Sequence, residues 1–269
     1  MLGELRALQA SGMLDEPGTN AGGGLAVLLI PGLLAPDRSL GLMARYLKRQ
    51  GFTPRRAGIA SNIDCSEREA KRLEQRLEKA YRETGRRVAI VGQSRGGVFG
   101  RALAVRRPDL VGAVIGLGSP LVDPLTNIHP LLHLQLELIA RMGDRKIPRM
   151  ASHSCLDAGM IEKLHELAGE GRVSRALVKR LAGRTPGDCC TQFWADLAAP
   201  FPDAIPYVSI WSRIDGVVNP RACHDPAARM VEVRSSHCGM AWNRHVYRAL
   251  LEELTAVAQR EVPVERLAA

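Results

Sequence analysis

Ser94, Asp215 and His237 are the side chains of this 269-residue chain whose types and settings could carry out nucleophilic chemistry. Ser94 sits in Gly92-Gln93-Ser94-Arg95-Gly96, between an apolar run at 88–91 and a segment at 97–104 that reads as a helix start. A serine between small residues, where a buried strand turns sharply into a helix, has its hydroxyl pushed clear of the sheet, beside the positive end of the helix. The five-residue pattern alone is weak in a chain with 26 glycines, because an ordinary glycine-rich turn produces it too. Its setting is what lifts it, together with an acid and an imidazole further along.

The chemistry needs all three groups. A serine hydroxyl is a poor nucleophile at neutral pH unless a base takes its proton during attack. An imidazole titrates near neutrality, so His237 can accept that proton and return it to the leaving group. Asp215 would hold the imidazole tautomer and stabilise the imidazolium. Asp196, Asp203 and Asp225 compete for that third place, and a turn-forming aspartate before Gly216 is a common structural device. A tetrahedral oxyanion needs two fixed donors, and the backbone N–H groups of Leu33 and Arg95 are the natural pair. Leu34 and Met240 are expected to line the substrate pocket, although core packing accounts for Met240 equally well. The Arg95 guanidinium is expected to point into solvent.

These residues fall where strands end. The apolar run 25–30 reads as a strand buried on both faces, closed by Pro31-Gly32. A helix over 39–50 follows, capped by Gly51, then a weaker strand over 52–59. Ser66-x-x-Glu69 reads as a capping box opening a helix that Gly85 closes, with its charges on a solvent face. Further strands are expected at 88–91, 111–117, 207–211 and 230–233, with a last helix over 243–259. Alternating strands and helices imply parallel pairing through right-handed crossovers. In such sheets the functional crevice lies beyond the carboxyl ends of the strands, where Leu33, Ser94, Asp215 and His237 all fall. Between 120 and 200 the pattern is helical and leucine-rich, with no strand signal. Residues 1–24 read as a short helix and a flexible leader.

Composition narrows the class. A hydrophobic content of 46% supports a real core, and 4% aromatics mean that core rests on Leu, Val, Ile and Ala. The net charge of +9 is spread along the chain with no basic block, which favours a basic surface over a nucleic-acid interface. No secretory signal or membrane-spanning run is read, so stable membrane insertion is not expected and a cytoplasmic location is. Six cysteines without a signal do not suggest a disulfide framework, though Cys223 and Cys238 could lie close in space. None shows C-x-x-C spacing, so no metal and no cofactor is expected.

The quartet Ile30-Pro31-Gly32-Leu33, Gly92-Gln93-Ser94-Arg95-Gly96-Gly97, Ser212-Arg213-Ile214-Asp215-Gly216-Val217-Val218 and Ser235-Ser236-His237-Cys238-Gly239-Met240 resembles the α/β-hydrolase superfamily, in its bacterial esterase/lipase branch. The resemblance covers residues 25–119 and 205–258. It implies an α/β-hydrolase core at 25–119 and 201–269, a mostly parallel sheet of about six strands, and a helical cap at 120–200. Pro31 departs from the family pattern, which often has His before the oxyanion glycine. The implied function is metal-free hydrolysis of carboxylic esters with an apolar acyl or alcohol group, through an acyl-enzyme on Ser94. The alternatives are an acyltransferase or thioesterase on the same fold, or a binding protein that keeps the scaffold without turnover. The expected partner is a small ester or lipid-like substrate, not a nucleic acid. The letters leave the oligomeric state open.

Overall fold

The computed structural model describes all residues except 1, 17, 126–128, 172–173, 183–185 and 262–269. Six strands form one sheet: β1 (Ala26–Ile30), β2 (Thr53–Arg56), β3 (Val88–Gln93), β4 (Val111–Leu117), β5 (Tyr207–Trp211) and β6 (Arg229–Glu232), in the order β2-β1-β3-β4-β5-β6. Every neighbouring pair is parallel. The central strands β1, β3 and β4 are buried along their whole length, as their unbroken apolar sequences require. The edges read differently. β2 is Thr-Pro-Arg-Arg and half exposed, and its proline is tolerated because an edge strand has spare ladder positions.

Strand alternation divides the core into two layers. Ala26, Leu28, Ile30, Ile90 and Val114 face one side, beneath α3 (Ser66–Thr84) and α4 (Arg95–Arg106). Val27, Leu29, Val91, Ala113 and Ile115 face the other, against α2 (Gly41–Arg49) and the C-terminal helix over Arg244–Arg260. In that helix Val246, Leu250, Leu254 and Val257 are all buried, at the spacing read from the sequence.

The first helix, α1 (Leu2–Ala10), is packed rather than a loose leader: Leu8 is fully buried in the second layer. The capping box at Ser66 does not form either. Cys65 is the N-cap of α3 and makes no side-chain cap bond, while the Ser66 hydroxyl accepts a hydrogen bond from the Arg95 guanidinium. Nor do all charges of α3 face solvent. Glu67 is buried and receives two hydrogen bonds from Arg106, which also bonds Asp196.

Between β4 and β5 run α5 (Pro130–Asp144), α6 (Ala158–Gly169), α7 (Arg175–Ala182) and α8 (Thr191–Ala198), so the strand-free reading of 120–200 matches the described residues. Leu156, Leu164, Leu167 and Val178 form a small core of their own. α8 joins the main core, where Phe193 packs on Phe99 with ring centroids 5.3 Å apart. The last helix is α9 (Arg244–Arg260).

Candidate active site

The strand order reverses direction between β1 and β3, and there the two connections leaving the sheet diverge and open a crevice. Leu33 follows β1 and Ser94 follows β3, so both meet in that crevice. The meeting is close: a Cβ added to Gly32 would stand 3.2 Å from the Ser94 Cβ. Ser94 has φ 51° and ψ −121°, a strained conformation for a residue with a side chain, and it forms the N-cap of α4. The surrounding glycines make this turn possible. A Cβ on Gly92 would collide with the backbone of Gly96 and Gly97, and one on Gly96 with the Ile30 carbonyl. The Arg95 N–H belongs to the first turn of α4, whose donors have no partner within the helix.

Asp215 and His237 come from the loops after β5 and β6. His237 Nδ1 lies 2.7 Å from Asp215 Oδ2, and the His237 N–H donates to the Asp215 carbonyl at 2.9 Å. The other carboxylate oxygen, Oδ1, accepts from the N–H groups of Val217 and Val218 at 2.9 and 2.7 Å. The carboxylate is thereby held from both ends and can set the ring's orientation and tautomer. The competing acids are used elsewhere or stand apart. Asp225 pairs with Arg101, Asp196 with Arg106, and Asp203 is exposed.

Ser94, Leu33 and Leu132 line two adjoining cavities. The first, about 150 Å³, is apolar, with Val98, Leu136, Ile139 and Phe193 in its wall. The second, about 420 Å³, holds His237, Leu34, Gln93 and Trp242. Ser94 therefore stands where a bond could be presented with one substituent in each cavity. Leu34 lies in the wall of the second cavity. Met240 lines neither: it is fully buried in the second core layer, and its sulfur packs against Gly118. The leucines of α5 divide between two roles. Leu132 and Leu136 face the apolar cavity, while Leu134 and Leu138 are exposed.

Three features escape a reading of the letters. Arg95 does not point to solvent. Its guanidinium donates to the Asn62 carbonyl and side chain, to the Asp64 carbonyl and to Ser66, and lies 4.9 Å above the Phe99 ring. Asn62, itself buried, donates to the Pro31 carbonyl at 2.6 Å, so one side chain braces both the loop after β1 and the residue after Ser94. Glu4 of α1 accepts from Ser235 Oγ, Ser236 N, Ser236 Oγ and Asn243 Nδ2 at 2.6–3.0 Å, clasping the loop that carries His237. Gly239 passes so close to this carboxylate that a Cβ would collide with it.

Burial alone would raise the Glu4 carboxyl, but the bonds from Ser236, Ser235 and Asn243 outweigh it and hold the group at about 2. Its contribution to stability is thus complete above the ordinary glutamate value of 4.5 and is lost as the pH falls toward 2. Glu4→Gln should cost on the order of 1 kcal/mol near neutral pH, allowing for solvent screening of a partly exposed group. The cost should shrink as the pH falls through about 2 and disappear below it, where both proteins carry a neutral side chain. Urea unfolding of both proteins across the acid range checks this. In ester turnover the same variant should lower kcat more than it raises KM, because the group it disturbs is the His237 loop.

The cysteines also depart from their linear spacing. Cys223 and Cys238 are free thiols, and burial pushes Cys223 up to about 12. The other four, Cys65, Cys155, Cys189 and Cys190, converge so that all their sulfurs lie within 4.8 Å of one another.

A parallel sheet with a strained serine turn at its switch point and a carboxylate–imidazole pair at later strand ends defines the α/β-hydrolase class. Solved structures of that fold share it at low identity. A mature lipase of Bacillus licheniformis superposes with a TM-score of 0.52 and 12% identity over 89% of this chain and 94% of its own. A soluble variant of monoglyceride lipase from Saccharomyces cerevisiae gives 0.52 and 14% over 91% and 89%. Paleococcus ferrophilus monoacylglycerol lipase gives 0.52 and 16% over 87% and 96%. No curated protein sequence matches the chain. The Esterase family model matches residues 67–226, and the chain belongs to that family: it is a carboxylic ester hydrolase. The matched region contains Ser94 and Asp215; Leu33 and His237 lie outside it.

No helix among the described residues is long and apolar enough to cross a membrane.

Proposed function

We propose that the protein cleaves esters through an acyl-enzyme on Ser94, with His237 as general base and then acid. Asp215 holds the His237 ring, and the N–H groups of Leu33 and Arg95 receive the oxyanion. The observation that carries this reading is the 2.7 Å contact between His237 Nδ1 and Asp215, made by an imidazole that lines the same cavity as Ser94. His237 Nε2 takes the Ser94 proton as Oγ attacks the ester carbonyl. It returns that proton to the leaving alkoxide, and water repeats the cycle to release the acid. Each oxyanion donor is worth roughly 3–4 kcal/mol in the transition state.

The apolar cavity beside Ser94 supports an apolar group on one side of the scissile bond, with residues 120–200 acting as the cap that shapes it. A cavity of that size accommodates a group on the order of a benzene ring. Across p-nitrophenyl esters, kcat/KM should rise roughly fourfold per added methylene, from about 0.8 kcal/mol of burial each, until the chain reaches about six carbons. Longer chains should then lose activity. A flat series would overturn the assignment of the acyl group to this cavity, and no turnover of any ester would overturn the hydrolase mechanism. Running the same assay with competing alcohols separates hydrolysis from acyl transfer by the product formed.

A further inference from the structure

We propose that Cys65, Cys155, Cys189 and Cys190 form a tetrahedral zinc site that pins the 120–200 insertion to the N-terminus of α3. The ligands come from three separate segments. Cys65 precedes α3, Cys155 closes the 3-10 turn His153–Cys155, and Cys189 and Cys190 lead into α8. Their sulfur separations are 3.3 Å for Cys65–Cys190, 3.7 Å for Cys155–Cys189, and 3.9 Å for both Cys65–Cys189 and Cys189–Cys190. Zinc–sulfur bonds of 2.3 Å in a tetrahedron place the sulfurs about 3.8 Å apart. A disulfide would require about 2.05 Å. The spacing therefore fits four thiolates around a single ion, and is too tight to enclose a cluster with several metals.

The surroundings suit the charge such a site carries. Four thiolates and Zn²⁺ leave two negative charges, which need donors and cations close by. Cys65 stands at the N-terminus of α3, whose first turn carries the backbone N–H groups of Glu67 and Arg68. Both donors belong to the positive end of a helix. The guanidinium groups of Arg68 and Arg95 lie within electrostatic reach of the same sulfurs. The four sulfurs lie together as one group, in which a divalent cation would take the place of the thiol protons.

The local backbone is built for close approach. Ala151 N–H donates to the Ile63 carbonyl and Gly187 N–H to that of Leu156, drawing the three segments together. A Cβ on Gly187 would collide with Ser154. Trp194 Nε1 donates to the Cys155 carbonyl at 2.8 Å, and Trp194 with Ala151 covers the cluster. With four protein ligands the ion has no open position, so its role is structural. It fastens a wall of the apolar cavity, which includes Cys155 and Trp194, to the loop that anchors Arg95 beside Ser94.

The test uses the full chain, purified under reducing conditions without chelator from zinc-supplemented medium. Elemental analysis should find about one zinc per chain, retained through gel filtration. Exchange for Co²⁺ should give the intense ligand-field and sulfur charge-transfer bands of a tetrahedral tetrathiolate. Cys189→Ser alters the exposed edge of the cluster and should weaken zinc retention against a chromophoric chelator by more than the roughly 10–100-fold cost of losing an outer-sphere partner. Cys223→Ser should retain zinc as the parent does. Two results on the unaltered chain would overturn the proposal: no zinc with an intact mass lowered by disulfide formation, or four alkylatable thiols that take up neither Zn²⁺ nor Co²⁺. None of these readouts uses ester turnover, so the site stands or falls independently of the catalytic reading.

Discussion

Ser94→Ala should lower kcat on the best p-nitrophenyl ester by roughly 10⁴- to 10⁶-fold, with little change in KM. Removing the hydroxyl removes the bond-forming atom, while both cavities and the N–H groups of Leu33 and Arg95 stay in place. Alanine also relieves nothing essential to the fold, since the φ of 51° is imposed by Gly92 and Gly96 packed around the turn. The unfolding midpoint should therefore stay near that of the parent, and labelling by a fluorophosphonate probe should vanish. Turnover that survives this change would place the nucleophile elsewhere and end the acyl-enzyme account.

Asp215→Asn should have the second largest effect, a loss of roughly 10³- to 10⁴-fold in kcat. The geometry explains why an isosteric change costs so much. Asp215 Oδ1 is fully engaged by the Val217 and Val218 N–H groups, which leaves the position of Oδ2 to face His237 Nδ1. An amide accepting from those two N–H groups must turn its NH₂ toward the ring. That stabilises the tautomer whose proton is on Nε2, which cannot accept from Ser94. The buried site offers no room for the amide to turn away, since Gly118 already lies against Oδ2. Single-turnover kinetics on an activated ester should show slowed acylation with unchanged binding. An effect under tenfold would mean that another group orients the ring.

Much of this molecule is legible in its letters. Each central strand is announced by an unbroken apolar run because both of its faces are covered. The turn at Ser94 is visible because only glycines fit the close backbone packing around it. Asp215 and His237 are picked out as candidates by asking which polar residues follow strand signals, a local question with a local answer. The errors share one cause. Ser66 and Glu69 have capping-box spacing, but Arg95, 29 residues away, takes the hydroxyl. Met240 follows His237 closely, yet the short 3-10 turn Cys238–Trp242 directs it into the core.

The sequence by itself determined the order of strands and helices, the strained turn and the three candidate side chains, because periodicity and turn chemistry act over a few residues. Only the tertiary structure decided that Glu4 clasps the His237 loop from 231 positions away or more. The same holds for Arg95 turning inward, and for four cysteines without metal-ligand spacing meeting at one point. Those contacts depend on which elements the sheet order brings side by side. Hydrogen bonds and thiol clusters between distant segments leave no periodic trace in either partner.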